Sequence, residues 1–177
     1  MTPSSYQGPR ADGEEPAKTS MSQDARLAFE KAYSQTTVSD ILKEKPADIF
    51  TVTRTMTLAS AIAELSARRI GNMPVVDPNT GLVGVISERD IVAAVADIGD
   101  EAMGHSVEQH MTSDPATCKG EDLIVDVMQI MTDGHFRHMP VMDGPVLVGV
   151  ISIRDIVMHR VQEVEYETLR LKQLMVG

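Results

Sequence analysis

Apolar positions along the chain change their spacing in a fixed order, and the order then starts again. Ile49 to Val52 is a short apolar run of strand length. From Thr57 the spacing opens to that of one helix face, with Leu58, Ile62, Leu65 and Ile70 three to five residues apart. Met73 to Val76 closes up into a second strand, and Asp77-Pro78-Asn79-Thr80-Gly81 has the chemistry of a turn. Leu82 to Ile86 is uniformly apolar, as expected of a strand buried on both faces. Ser87 then opens a helix predicted to run to about Ala96. The second pass gives a strand at Ala116–Cys118, a helix over Leu123–Gly134, a strand at Met139–Met142, a turn at Asp143-Gly144-Pro145, a strand at Leu147–Ile151 and a helix from Ser152. The predicted order is β-α-β-β-α, twice. This is an α/β (α+β) fold in which each small sheet is covered by two helices.

The residues repeat as well as the pattern. Gly84 to Val92 reads G-V-I-S-E-R-D-I-V and Gly149 to Val157 reads G-V-I-S-I-R-D-I-V, identical at eight of nine positions. Upstream, N-M-P-V-V-D (Asn72 to Asp77) answers H-M-P-V-M-D (His138 to Asp143). The serines Ser87 and Ser152 are 65 residues apart and the prolines Pro74 and Pro140 are 66 apart, so one residue was lost in the intervening turn. Two copies are too few for a solenoid, which needs about three stacked units, and each copy is small to stand alone. The expected arrangement is two repeats, residues 36–100 and 101–161, packed face to face about a pseudo-two-fold axis.

The two ends differ from this body. Residues 1–35 are rich in proline, glycine and polar side chains and read as a disordered arm, in which Ser22 to Tyr33 has a weak helical pattern. Residues 162–177 are expected to prolong the last helix to about Met175, with Val157, Val161, Val164, Leu171 and Leu174 as an interrupted apolar stripe. Such a stripe needs a cover. A second protomer is the simplest one, and the chain's own N-terminal segment is the competing one.

Charge and composition narrow the class of partner. The formal net charge of -10 over 177 residues opposes a nucleic-acid interface or an anionic membrane surface. No apolar run approaches the ~20 residues of a membrane span, and the polar N-terminus lacks a signal-peptide pattern, so a cytoplasmic location is expected. The single cysteine, Cys118, excludes an intrachain disulfide and is expected to act as a small hydrophobe in a buried strand. His135 and His138 have a spacing seen in metal sites, but no second cluster completes a ligand set, so no metal is expected. The methionines Met73, Met128, Met131, Met139 and Met142 are expected to fill the core. No G-x-S-x-G elbow, Walker loop, HExxH or activated cysteine is present, and the chain is not expected to be an enzyme.

Candidate chemistry gathers at S-E-R-D (Ser87 to Asp90) and S-I-R-D (Ser152 to Asp155). Two readings fit these tetrapeptides. In one, serine and the carboxylate three residues on form a helix-capping box and nothing more. In the other, Gly84 and Gly149 allow close approach of a ligand or of backbone, and the helix N-terminus attracts a phosphate. The serine hydroxyl and Arg89 or Arg154 then add donors, and Asp90 or Asp155 accepts from ribose hydroxyls.

Taken together, N-M-P-V-V-D, G-V-I-S-E-R-D-I-V and the upstream T-V-T-R-T-M-T-L resemble the CBS (cystathionine β-synthase type) domain, which normally occurs in tandem pairs. The resemblance covers Val38 to about Val161, about 70% of the chain, and is to small stand-alone bacterial CBS-pair proteins. It implies two clefts between the repeats, able to hold AMP, ADP, ATP or NAD(H), and NAD(H) would bind without a Rossmann G-x-G-x-x-G loop. By this resemblance Asp90 and Asp155 hold ribose, while Ser87, Ser152, Arg89 and Arg154 face phosphates. Thr51 and Thr117, with Val52, Met73 and Met139, line the adenine slot, and Gly71, Asn72, Pro74, Ile86, Pro140 and Ile151 complete the nucleotide-binding set. Arg137 and His138 match a further basic position where the first copy has Gly71 and Asn72. The two clefts are thus expected to differ, with the second copy's basic pair marking the preferred phosphate position. The implied function is a regulatory module that reports energy or redox state to a regulated protein, and the uncovered stripe of the last helix adds the expectation of a homodimer. A constitutive interaction scaffold with vestigial sites is the alternative.

Overall fold

The structure is a computed structural model that describes residues 35–46 and 48–176, with the main chain alone at 167, 171 and 174–176. The weak helical pattern at Ser22–Tyr33 and the side chains of Leu171 and Leu174 lie outside the described residues.

The expected order of elements is present in both copies. In the first, β1 (Val52–Thr53) leads to α2 (Leu58–Arg68), β2 (Asn72–Asp77), β3 (Gly81–Ser87) and α3 (Glu88–Ile98). In the second, β5 (Cys118–Lys119) leads to α4 (Ile124–Asp133), β6 (His138–Asp143), β7 (Val146–Ser152) and α5 (Ile153–Val176). β1 runs parallel to β2, and β2 antiparallel to β3; β5, β6 and β7 repeat the arrangement. Both hairpins carry an irregularity at the same place, between Val75 and Val76 and between Val141 and Met142.

Among the elements not legible as such, two join the repeats. A short helix α1 (Val38–Lys43) precedes β1, and a two-residue strand β4 (Thr112–Ser113) precedes β5. Both belong to segments that cross to the opposite repeat. Val38 N–H donates to Asp122 O, Ser39 N–H to Gly120 O, and Ile124 N–H to Thr36 O. The other half mirrors this: Val107 N–H donates to Met56 O, Glu108 N–H to Arg54 O, and Leu58 N–H to His105 O. β4 accordingly pairs with β3 of the first repeat.

This exchange defines the cores. One holds Val52, Leu58, Leu65, Met73, Val75 and Ile86 together with Ala102 and Val107 from the crossing segment. The other holds Cys118, Ile124, Met131, Met139, Val141 and Ile151 together with Val38 and Ile41. Each large side chain so buried contributes ~1.5–3 kcal/mol of hydrophobic free energy. No polar or charged residue is buried among the described residues. Met73, Met131 and Met139 fill the cores as expected and Met128 packs at an edge. Cys118 lies in β5, where burial pushes its thiol up to about 12.

The glycines before the S-x-R-D segments serve the exchange. A Cβ on Gly84 would meet Met111 Sδ at 2.7 Å and Thr112 O at 2.9 Å; on Gly149 it would meet Leu42 Cδ1 at 2.9 Å. The close approach is made by the crossing segments. The expectation that β3 and β7 are buried on both faces is corrected here. Only Gly84 and Ile86, and their counterparts Gly149 and Ile151, are buried, whereas Val83, Val85, Val148 and Val150 are part-exposed. Period-two alternation turns Val85, Val148 and Val150 toward the clefts, while Val83 packs at the edge of the first core.

Candidate functional site

Each S-x-R-D segment is a strand-to-helix junction closed by a capping box. Ser87 N–H and Oγ–H donate to Asp90 Oδ2 at 2.8 and 2.6 Å, and Asp90 N–H returns a bond to Ser87 Oγ at 3.3 Å. Ser152 and Asp155 repeat it at 2.8, 2.7 and 3.2 Å. The capping reading of these residues is therefore present in the geometry, and in both cases it engages one carboxylate oxygen, Oδ2.

Both junctions also open onto a cleft. The first cleft, about 450 Å³, is walled by Ser87, Arg89 and Asp90 of repeat one and by 112, 114–116 and 134–138 with Pro140 from beyond it. The second, about 940 Å³, is walled by Ser152, Arg154 and Asp155 together with residues of 42–50 and 69–74. Strand register explains which side chains arrive there. Asn72 pairs with Ser87 and His138 with Ser152, so these positions share the cleft side of their hairpins. Gly71, Asn72 and His138 line both clefts. Asn72 Oδ1 is buried there without a hydrogen-bond partner. Burial pushes the His138 imidazole below its ordinary value, a shift that Lys45 and Arg137 reinforce and Asp155 and Glu88 oppose.

The clefts differ in one contact above all. Lys45, from the crossing segment, donates to Asp155 Oδ2 at 2.6 Å and to Val150 O at 3.0 Å. Burial alone would raise the Asp155 carboxyl, but Lys45 and the two Ser152 donors outweigh it and hold the group below its ordinary value. In the first cleft Arg89 donates instead to the main-chain oxygen of His135, at 3.2 Å. Among the described residues, the non-glycine ones with left-handed backbone, Arg69, Asp114 and His135, all stand at cleft walls. Each such backbone costs ~1–2 kcal/mol.

Of the expected binding residues, Ser87, Arg89, Asp90, Arg137 and Pro140 meet at the first cleft and Pro74, Ser152, Arg154 and Asp155 at the second, with Gly71, Asn72 and His138 at both. Seven others are placed elsewhere. Val52 is 1% exposed and Met73, Ile86, Met139 and Ile151 are 0% exposed, all inside the two cores. Met73 pairs with Ile86 and Met139 with Ile151, one step out of register with the cleft-facing pairs, and one step in a strand reverses the face. Thr51 is exposed and stands at neither cleft. Thr117 borders a separate hollow of about 320 Å³. The residues sequence reasoning missed include Lys45 and Asp114 of the crossing segments, and Phe50 just before β1. The parallel Lys45-Pro46 and Asp114-Pro115 was the available signal.

Two exchanged β-α-β-β-α repeats, with a capped helix start opening onto a cleft at each side of their seam, define a paired module with one cleft to each repeat. The CBS domain model matches residues 38–97 and 107–161, and the chain belongs to that family. A CBS-domain containing protein from Agrobacterium tumefaciens is similar in structure, with TM-score 0.68 and 38% identity over 71% of this chain and 99% of that one. The Arabidopsis thaliana protein CBSX3, mitochondrial, is 29% identical over 169 residues, 91% of this chain and 82% of its own. The CBS domain pair of protein MJ0100, solved in complex with 5′-methylthioadenosine and S-adenosyl-L-methionine, has TM-score 0.62 and 26% identity over 70% of this chain and 98% of that one. No helix among the described residues is long and apolar enough to cross a membrane.

Proposed function

We propose that this chain is a non-catalytic regulatory module that binds adenine nucleotides (AMP, ADP, ATP) or NAD(H) in its two clefts. Occupancy is passed as a signal of energy or redox state to a regulated protein, in the cytoplasm and as a homodimer. The observation that carries the reading is the coincidence of each Ser-x-Arg-Asp helix start with a cleft. The volumes, about 450 and 940 Å³, fall in the range of ~300–1,000 Å³ usual for small-molecule sites. Each cap occupies Oδ2, which leaves Oδ1 of Asp90 and Asp155 for a ribose diol, and the helix N-terminus and its arginine favour an anion beside it. The adenosine compounds held by the MJ0100 pair support an adenosyl ligand.

The scaffold reading has one observation in its favour: both aspartates already have protein partners, Asp155 including Lys45. Thermal unfolding with AMP, ATP or NADH separates the two. A ligand at a hundredfold excess over its Kd is expected to add ~2.7 kcal/mol, raising Tm by roughly 5 to 11 °C at this chain length. No shift with any of the three at millimolar concentration transfers the case to the scaffold. Asp155→Ala is expected to weaken the nucleotide at least tenfold, about 1.4 kcal/mol, and unchanged affinity in a folded variant would leave Asp155 a capping residue only.

A further inference from the structure

The crossing segments give the two clefts opposite charge. Lys45 and Asp114 occupy equivalent places: each lies seven residues after the buried valine that begins its segment, Val38 or Val107, and each precedes a proline. The hydrogen bonds confirm the equivalence, since Val38 reaches Asp122 O as Val107 reaches Met56 O. Lys45 lines the second cleft and Asp114 the first. The rest of each wall reinforces the contrast. The second cleft gathers Lys43, Lys45, Arg69 and Arg154 against Asp48 and Asp155, four cations to two carboxylates. Histidines apart, the first gathers Arg89 and Arg137 against Glu88, Asp90 and Asp114, two cations to three carboxylates. This balance runs against the expectation that Arg137 and His138 mark the preferred phosphate position. Arg137 faces a cleft that is net negative even with its charge counted.

We infer that the clefts sort adenosine ligands by charge: the second prefers 5′-polyphosphates, the first prefers adenosyl compounds of lower negative charge, and the Lys45/Asp114 pair sets the difference. The inference rests on the nucleotide reading above. The low-dielectric walls of a cleft focus such a difference in the field and screen it less than open surface does.

The test is calorimetric titration of the full chain with adenosine and with ATP in magnesium-free buffer, one cleft at a time. Asp90→Ala reports the second cleft and Asp155→Ala the first, with Asp90→Asn and Asp155→Asn replacing either variant if it does not fold. The second cleft is expected to bind ATP at least tenfold more tightly than adenosine, and the first to bind adenosine at least as tightly as ATP. Lys45→Gln in the Asp90→Ala background is expected to cut the ATP preference at least fivefold. Asp114→Asn in the Asp155→Ala background is expected to raise ATP relative to adenosine by a similar factor. Raising salt from 50 to 500 mM is expected to erode the second cleft's preference and leave adenosine binding unchanged. Equal ATP-to-adenosine ratios in the two clefts, or ratios unmoved by Lys45→Gln and Asp114→Asn, overturn charge sorting while leaving the adenosine site standing. Absence of binding by either compound to either cleft overturns the nucleotide reading and the sorting together.

Discussion

At the scale of single residues, the acidic side chains tie the fold to pH in a direction that can be stated. Asp77, at the end of β2, accepts from Arg54 at 2.6 Å and from the N–H groups of Asn79 and Thr80. Hydrogen bonding to Arg54, foremost, lowers its carboxyl to about 2. Asp40 is likewise lowered to about 2, first by the Thr37 hydroxyl and then by the Thr37 N–H, in the box that caps α1. Both folded values lie below the unfolded one near 3.8. The unfolded chain therefore binds more protons between the two, and stability rises with pH across that interval. The contribution is complete above about pH 5 and is expected to be lost as pH falls through 2. Asp77→Asn is expected to flatten the loss of stability between pH 4 and 2, read as urea midpoints at half-unit steps. A variant as acid-sensitive as the parent would show that this contact does not carry the dependence. The same residues show what one sequence discloses. The pattern of a hydroxyl followed three residues on by a carboxylate was legible at Ser87 and Ser152. It went unread at Thr37 and Asp40, because the six-residue helix behind it is too short to show a periodicity.

At the scale of elements, local pattern was sufficient for the strands and helices of both repeats and insufficient for the exchange. Periodicity reports which face of a segment is apolar. It does not report which of two equivalent cores receives that face, and Val38 and Val107 each fit both by shape and chemistry. The consequence for the site was large, since Lys45 and Asp114 arrive through the exchange. The misplaced adenine-slot residues have a local cause: one step along β2 or β6 separates Asn72 and His138 at the cleft from Met73 and Met139 in the core. The exchange predicts an asymmetry between two glycines that look identical in sequence. At Gly84 a new methyl meets the carbonyl of Thr112, which is fixed in the β3–β4 pairing, whereas at Gly149 it meets only the branched end of Leu42. Gly84→Ala is expected to cost ~1–3 kcal/mol as overpacking against backbone. Gly149→Ala is expected to fall within ~1 kcal/mol of the parent, because a side-chain rotation relieves the contact and alanine restricts the unfolded chain. Equilibrium urea unfolding of the two variants decides it. Equal costs would mean that the crossing segments yield alike and that β4 does not hold its place.

At the scale of the whole molecule, the pseudo-two-fold axis leaves a repeated apolar surface uncovered. Val92 on α3 and Val157 on α5 are equivalent, 65 residues apart like the serines that cap their helices, and they are 67% and 50% exposed. Along α5 the stripe continues through Val161 at 43% and Val164 at 42%, one helical turn at a time. A monomer would leave this row in water over the length in which α5 runs past its own repeat. A surface presented twice about an internal two-fold suits an isologous partner, since a second copy can meet both halves with the same residues. The protein is therefore expected to elute, in size-exclusion chromatography with light scattering, at twice the 19.3 kDa of one chain. A charge placed in the middle of the row, Val161→Glu, is expected to shift it toward 19.3 kDa, because an unpaired carboxylate buried at an interface costs several kcal/mol. The rival cover is the chain's own first 34 residues. A parent that elutes as a monomer, and dimerises only when that segment is removed, would assign the row to the arm.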